Sequence, residues 1–253
     1  MIRACAFLLL FFLTHASLFL LFPFSLRRFL ICFVLYGGGN VMILYLLFHP
    51  RSQLLVTNRS RVAASGRPCV ALTFDDGPSA DNTRRLLQIL KDKNVRATFF
   101  IIGQKAEEQP DLLKQICTAG HELGNHTYTH PSLFCFLSPQ RLRQEIRKTQ
   151  EVAARICGVT PRYFRSPVGL RHPLLGLYLQ QAGLEYISWR LRAFDTFTQE
   201  PAAISSRILS SVAPGDVILL HDSEIAGVGR MLEALPGLID SLHSRGFEFV
   251  MLG

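Results

Sequence analysis

Two adjacent carboxylates, Asp75 and Asp76, close the run Val70-Ala71-Leu72-Thr73-Phe74 and are followed by Gly77-Pro78. A β-forming run that stops in two acids, with Gly and Pro behind them, delivers carboxylates to a strand's C-terminal edge, where α/β enzymes keep their chemistry. Neighbours on an extended strand point to opposite faces, but a turn at the strand end can splay both into one cavity, so that one holds a metal and the other a proton. Taken alone, Asp-Asp-Gly-Pro is more often a solvated turn, but residues further along the chain change that balance. His126-Thr127-Tyr128-Thr129-His130 spaces two histidines at i and i+4, on one face of a helical turn, from which both rings can converge on one metal. With an Asp added, the set is two neutral nitrogens and one oxygen, suited to Zn²⁺ with positions left open for water and substrate.

Two further stretches carry charge to strand ends. Phe164-Arg165-Ser166-Pro167-Val168-Gly169 puts a permanently charged guanidinium ahead of a Pro-Gly loop, able to orient a carboxylate through two hydrogen bonds. Gly215 to Asp222 ends a fully apolar strand in His221, well sited for a general acid. Each has a plainer alternative: a rim salt bridge for Arg165, a core-edge imidazole for His221, surface histidines for the pair. His121 reads as a structural contact before its strand, Trp189 as core or groove wall, Arg171-His172 as solvated rim, and Asn125 and Asp222 as partners of the site or simple turn formers.

The elements that must position these groups alternate along the chain. Strand-like runs at 70–74, 97–102, 122–125, 162–165, 184–189, 216–220 and 247–252 are separated by helical patterns at 82–92, 110–119, 139–156, 173–182, 201–212 and 230–245. Ser138-Pro139 opens the longest of these helices and Gly158 closes it. About seven strand–helix repeats predict a parallel α/β barrel, and every candidate group falls at or just after a strand's C-terminal end, the active face of such barrels.

The chain has 253 residues, of which 49% are hydrophobic and 18% charged. The apolar excess sits at the N-terminus, in runs at about 4–26 and 29–48, each near the roughly 20 residues that a bilayer span requires. We therefore expect residues 1–51 to form a transmembrane helical hairpin turning at Arg27-Arg28, with 52–67 a linker and 68–253 the barrel. Gly37-Gly38-Gly39 and Asn40 weaken the second span and leave a re-entrant or interfacial segment open. Arginines flank both sides of the hairpin and do not decide its orientation. Four arginines and no acids precede Ser52, whereas the rest of the chain carries its charges without a basic run, so no nucleic acid partner is implied. The 6 cysteines form no Cys-x-x-Cys pair and read as buried free thiols.

Taken together, Thr73 to Gly77, His126 to His130, Arg165 to Gly169 and Leu219 to His221 resemble, in this order, the motifs of the polysaccharide deacetylase family with the NodB homology domain, carbohydrate esterase family 4. The likeness covers roughly residues 68–252. It implies a distorted (β/α)7 barrel and a hydrolase of carbon–nitrogen bonds that removes N- or O-acetyl groups from sugars with a divalent metal, Zn²⁺ or another such as Co²⁺. Residue by residue, it implies Asp75 as general base, Asp76, His126 and His130 as metal ligands, and Arg165 as the group that positions the base. It also implies His221 as general acid, Asp195 as the carboxylate that tunes it, Leu219 as the acetyl-pocket residue and the loop at Pro167-Val168 as the oxyanion donor. The expected substrate is an N-acetylated amino sugar of an envelope polysaccharide or peptidoglycan, handled by a membrane-anchored barrel outside the cytoplasm. Two positions depart from the family pattern: Val168 and Thr196 stand where members often carry an aromatic residue and a Trp. With the apolar N-terminus, they raise a second substrate class, a lipid-linked sugar bearing an acetyl or formyl group. A non-catalytic glycan-binding module is the third reading, disfavoured because base, ligands and acid are all present.

Overall fold

The structure, a computed structural model, describes residues 26–49, 52–63, 66–197 and 200–253. After helix α1 (Leu26–Phe48) come β1 (Asn58–Arg59), β2 (Cys69–Gly77), α2 (Ala80–Asp92), β3 (Thr98–Ile101), α3 (Gly103–Glu108), α4 (Pro110–Thr118) and β4 (Glu122–Asn125). There follow α5 (Pro139–Cys157), β5 (Tyr163–Phe164), α6 (Leu175–Gln181), β6 (Glu185–Ile187), β7 (Leu191–Arg192), α7 (Pro201–Leu209), β8 (Val217–His221), α8 (Ala226–Ser244) and β9 (Glu248–Phe249). The sheet runs β1-β6-β5-β4-β3-β2-β8-β7, with β9 on β2, and all these pairings are parallel. It is a curved, incomplete barrel, a half-barrel of the expected parallel α/β kind.

Alternation along the strands sorts the interior. On β2 and β8, Val70, Leu72, Phe74, Ile218 and Leu220 join the outer core beneath the helices, while Cys69, Ala71 and Val217 join Phe100, Tyr163 and Ile187 in a smaller cluster inside the barrel. The register that pairs Ala71 with Val217 also pairs Thr73 with Leu219 and Asp75 with His221. Going up the inward face, the residues therefore change from apolar to polar, and the last pair is a carboxylate beside an imidazole.

Local signals explain the element ends. Ser138 caps α5, its hydroxyl accepting from the Arg141 N–H at 3.3 Å, and Gly158 ends it at φ 68°. The 52–67 stretch is more than a linker: β1 pairs with β6, Val56 and Val62 are buried, and the Val62 N–H donates to the Gly215 carbonyl at 2.8 Å. An edge strand of two residues is too short to leave a periodic trace in sequence, and so escapes a reading by pattern.

The membrane hairpin is not supported. Its first run, about 4–26, lies almost entirely outside the described residues. Its second falls on α1, which holds Gly37-Gly38-Gly39 at its centre. Among the described residues no helix is long and apolar enough to cross a membrane.

Candidate active site

The two adjacent acids reach one cavity through a bulge. The β2–β3 register shifts between Asp75 and Gly77, and Asp76, at φ 72°, is the residue left over. A bulge breaks the alternation of the strand, so Asp76 turns toward the same opening as Asp75. The left-handed conformation costs a non-glycine residue on the order of 1–3 kcal/mol, and Thr127, His130 and Val168 on neighbouring loops share it. Strain of this kind collects where surroundings over-determine the backbone.

His126 and His130 sit on an irregular loop after β4, not on the helical turn that their spacing suggests. Thr127 at φ 70° and His130 at φ 52° fold that loop so that the rings still converge, with centroids 5.0 Å apart. The loop takes its shape from two buried side chains. Asn125 Oδ1 accepts from the Thr127 N–H at 2.9 Å, and its amide donates to the Ile146 carbonyl. Glu145, on α5, accepts from the Tyr128 N–H at 2.9 Å, the Thr129 N–H at 2.7 Å and the Thr129 hydroxyl at 2.8 Å. Sequence reading missed Glu145, although a carboxylate on the buried stripe Leu142, Ile146, Thr149 is a signal that a charge has a fixed partner.

Asp76 Oδ1 lies 3.3 Å from His126 Nε2 and 3.2 Å from His130 Nε2. The ligand atoms of these residues lie within 4.8 Å of one another. The His126 Nδ1–H donates to the Arg165 carbonyl at 2.8 Å, which leaves Nε2 as the nitrogen facing the cluster. Asp76 Oδ1 is buried and makes no hydrogen bond of good geometry. Burial pushes the Asp76 carboxyl up, but His126 beside its oxygen and the charges of His126, His130 and His221 hold it well below the usual range. Burial and the charge of His126 bring His130 down to about 4, whereas Asp75 and Asp76 raise His126 against its burial. Two neutral imidazoles and one carboxylate with an orphaned oxygen are the donor set of a divalent cation, and Zn²⁺ fits it.

Asp75 stands beside this cluster, its Oδ2 3.8 Å from His126 Nε2. Arg165 is fully buried and donates to Asp75 Oδ1 at 2.6 Å, to the Thr73 hydroxyl at 2.9 Å and to the carbonyls of Ile187 and Ser188. Its guanidinium also lies over the Phe100 ring at 4.1 Å. These contacts fix the guanidinium on three sides and hold Asp75 by one oxygen, leaving Oδ2 turned toward the histidines.

His221 closes the opposite wall. Its Nδ1–H donates to Asp195 Oδ1 at 2.9 Å, and its backbone N–H to Asp195 Oδ2 at 2.7 Å. Burial pushes the imidazole down, but the Asp195 hydrogen bond and charge, with Asp75 and Asp76 behind, raise it overall. Leu219 is buried one step below on the same face of β8. Pro167, buried, and Val168, exposed, form a 3-10 turn over the rim, where a Cβ on Gly169 would come within 2.8 Å of Trp189. The indole thus forms part of the wall beneath this loop.

Other sequence candidates fall elsewhere. Arg171 and His172 are buried rather than solvated: Arg171 Nη1 donates to the His49 carbonyl at 2.5 Å and its guanidinium stacks over Tyr186. His121 Nδ1 accepts from the Ala97 N–H, a structural contact, and burial takes its pKa down to about 4. Asp222 accepts from the Thr83 hydroxyl at 2.6 Å while its own N–H donates to the Asp75 carbonyl, which braces the metal-side loop from below. Burial raises its carboxyl to about 7.

An open cleft of about 630 Å³ beside the cluster is lined by Asp76, Lys105, Thr129, His130, Ser223 and Ile225, among others. A larger groove, about 1110 Å³, lies between the 53–59 stretch and α6, and none of the carboxylates and histidines above lines it. The chemistry, not the volume, marks the smaller cleft as the candidate site.

Residues 63–187 match the family model for polysaccharide deacetylase. A peptidoglycan-N-acetylglucosamine deacetylase of Bacillus cereus is 36% identical over 185 residues, covering 72% of this chain and 66% of that protein. A chitooligosaccharide deacetylase of Sinorhizobium fredii is 34% identical over 194 residues, covering 73% of this chain and 90% of that one. Among solved structures, a peptidoglycan N-acetylglucosamine deacetylase in complex with a hydroxamate-type benzamide superposes with a TM-score of 0.74 at 32% identity, covering 77% of this chain and 90% of that one.

Proposed function

The chain belongs to the polysaccharide deacetylase family, and we propose that it hydrolyses the N-acetyl amide of amino sugars in an envelope glycan with the help of a divalent metal. One observation carries this reading: Asp76, His126 and His130 offer ligand atoms within 4.8 Å of one another, and beside them stands Asp75, a second carboxylate tied by Arg165. A lone ligand set is a structural metal site. A ligand set with an ion-paired base on one side and an imidazole on the other is equipped for hydrolysis.

In this reading Asp76, His126 and His130 would hold the metal, which would supply Lewis-acid polarisation. Asp75 Oδ2 takes the proton of the attacking water, and Arg165 keeps that carboxylate aimed. The water oxygen bonds to the acyl carbon, and the Val168 N–H donates to the oxygen on which charge develops. Leu219 packs against the acetyl methyl. His221, charged and steadied through Nδ1 by Asp195, passes its Nε2 proton to the sugar nitrogen as the carbon–nitrogen bond breaks. A free amine and acetic acid leave, the acid ionising to acetate; Asp75 gives its proton to solvent and His221 takes one up, which restores both groups. The catalytic unit in this proposal is 68–253, and the N-terminal 1–51 keeps it at a membrane, outside the cytoplasm.

Acetate release from N-acetylglucosamine oligomers and peptidoglycan fragments, measured with Zn²⁺ and then with chelator, tests the proposal. We expect release that chelator abolishes and Zn²⁺ restores. Release that is indifferent to chelator would remove the metal from the reaction. Formate in place of acetate would change the acyl group.

A further inference from the structure

The rim of the candidate site is apolar in a way that catalysis on a water-soluble glycan does not require. Outside α1, the described residues include 8 exposed large apolar side chains, and 6 of these, Leu133, Phe136, Val168, Phe194, Phe197 and Ile225, stand on loops after β4, β5, β7 and β8. Phe136 is 74% exposed, Leu133 66%, Val168 62% and Phe197 58%. Phe136 is not an accident of a loose loop: Phe134 and Cys135 of the same 3-10 turn are buried, and the Phe134 ring packs against Phe164 at a tilt. The turn is anchored, and its third side chain is held out in solvent. Single exposed apolar residues are ordinary, but a ring of them around one opening marks a surface that meets something apolar.

The position of α1 says what that something is. The Arg171 guanidinium, on the loop that carries Arg165 and Val168, binds the carbonyl of His49 at the end of α1, and Leu46 is buried there. The helix therefore joins the barrel at the candidate active face. Along its length Leu30, Phe33, Val34, Tyr36, Val41 and Leu44 are exposed. The residues before it are almost entirely apolar in sequence, and the charges up to Arg51 are four arginines without an acid. Apolar side chains with arginine only are the composition of a segment that settles on an anionic lipid surface.

We propose that the active face docks on a lipid leaflet, with the rim side chains and α1 in the interface, and that the substrate is an N-acetylated amino sugar carried on a lipid. This rests on the deacetylase reading and names the substrate class for it. The rim residues dip among the acyl chains and headgroups, the cleft opens at headgroup level, and the sugar reaches Asp75 and His221 without leaving the surface.

The test uses the full chain in nanodiscs of phosphatidylethanolamine and phosphatidylglycerol, beside its Leu133→Ser/Phe136→Ser/Phe197→Ser variant. Acetate release is followed on a soluble N-acetylglucosamine oligomer and on a polyprenyl-diphosphate-linked N-acetylglucosamine in the same disc. The variant is expected to lose about tenfold or more in kcat/KM on the lipid-borne sugar, since confinement to the surface sets the effective concentration, and to keep its rate on the oligomer. Equal rates for variant and parent on both substrates, or equal losses on both, would overturn the proposal and leave the deacetylase reading standing. A second measurement is independent of catalysis. In a Phe136→Trp chain, dibrominated acyl chains are expected to quench the added indole emission; emission that these lipids leave unchanged, as when two copies cover the rim from each other, overturns the docking. Quenching in a metal-loaded chain that releases acetate from neither substrate would support the docking and count against the deacetylase reading alone.

Discussion

Arg165 and Asp75 form a buried ion pair whose members cannot be removed singly without cost. Replacing Arg165 by Ala leaves the Asp75 carboxylate buried with no partner, and loss of one member of such a pair typically costs about 3–5 kcal/mol. We expect urea unfolding of Arg165→Ala to register a loss of that size, whereas Arg165→Lys keeps the charge, forfeits the fork of contacts to Thr73, Ile187 and Ser188, and loses activity more than stability. His221 gives a prediction in pH. Against its burial, Asp195 raises its pKa, so the protonated form persists to higher pH, and if His221 is the proposed acid, activity is expected to fall as pH rises through that raised value. Asp195→Asn removes the raising charge, so the basic limb of the kcat profile moves to lower pH; a limb that stays in place would dissociate His221 from the proton transfer. His221→Ala is expected to lose about 10²–10⁴-fold in kcat, the usual worth of a positioned acid. Asp75, Asp76, Arg165 and His221 stood out in the sequence because each is a charged or titratable residue stopped at the end of an apolar run. Glu145 did not, since a helix-interior glutamate among other charged residues looks like a solvated one until the loop that it binds is seen.

At the scale of elements, His126 and His130, the proposed metal ligands, depend on a loop that has no regular structure of its own. Glu145 reaches across from α5 and satisfies the N–H groups of Tyr128 and Thr129, which Asn125, bound to the Thr127 N–H, does not reach. Glu145→Ala is expected to weaken metal binding by about 10–100-fold, the range seen when groups behind metal ligands are removed, and calorimetric titration with Zn²⁺ would read it. Gly124 on β4 makes a different demand. A Cβ there would meet the Phe100 ring at 2.3 Å, and that ring is the floor beneath the Arg165 guanidinium. Gly124→Ala should cost about 1–3 kcal/mol through overpacking and lower activity as the guanidinium shifts, both visible in thermal unfolding and initial rates. The helical turn expected for His126 to His130 failed for a physical reason. Spacing of i and i+4 says that two side chains can meet on a helix, but left-handed Thr127 and His130 bring them together equally well on a loop. Longer elements, such as α5 with Ser138 and Gly158 at its ends, were legible because capping chemistry and periodicity agree. The strands β1 and β7, of two residues each, hold their places through the sheet around them.

The whole molecule puts its chemistry, its exposed apolar rim and the end of α1 on one face of a half-barrel. Inward-facing positions at the bottom are filled by Cys69, Ala71 and Val217, so the barrel is a packed core with a polar top and no through-passage is needed to explain it. Of the two N-terminal apolar runs, the second, with Gly37-Gly38-Gly39 inside it, gives a helix whose end is docked on the barrel through Arg171, and its length alone does not support a hairpin. Family membership followed from four short motifs in fixed order, which is information about sequence spacing that no single motif carries.

The division of labour between the two neighbouring acids is central to this chemistry, and one paired measurement tests it: bound zinc and acetate release, determined together on the parent, Asp75→Asn and His126→Ala proteins. The prediction is that Asp75→Asn keeps one zinc per chain and releases no acetate, while His126→Ala loses both. Acetate release that survives Asp75→Asn, or a parent protein that holds no metal yet turns over, would contradict it.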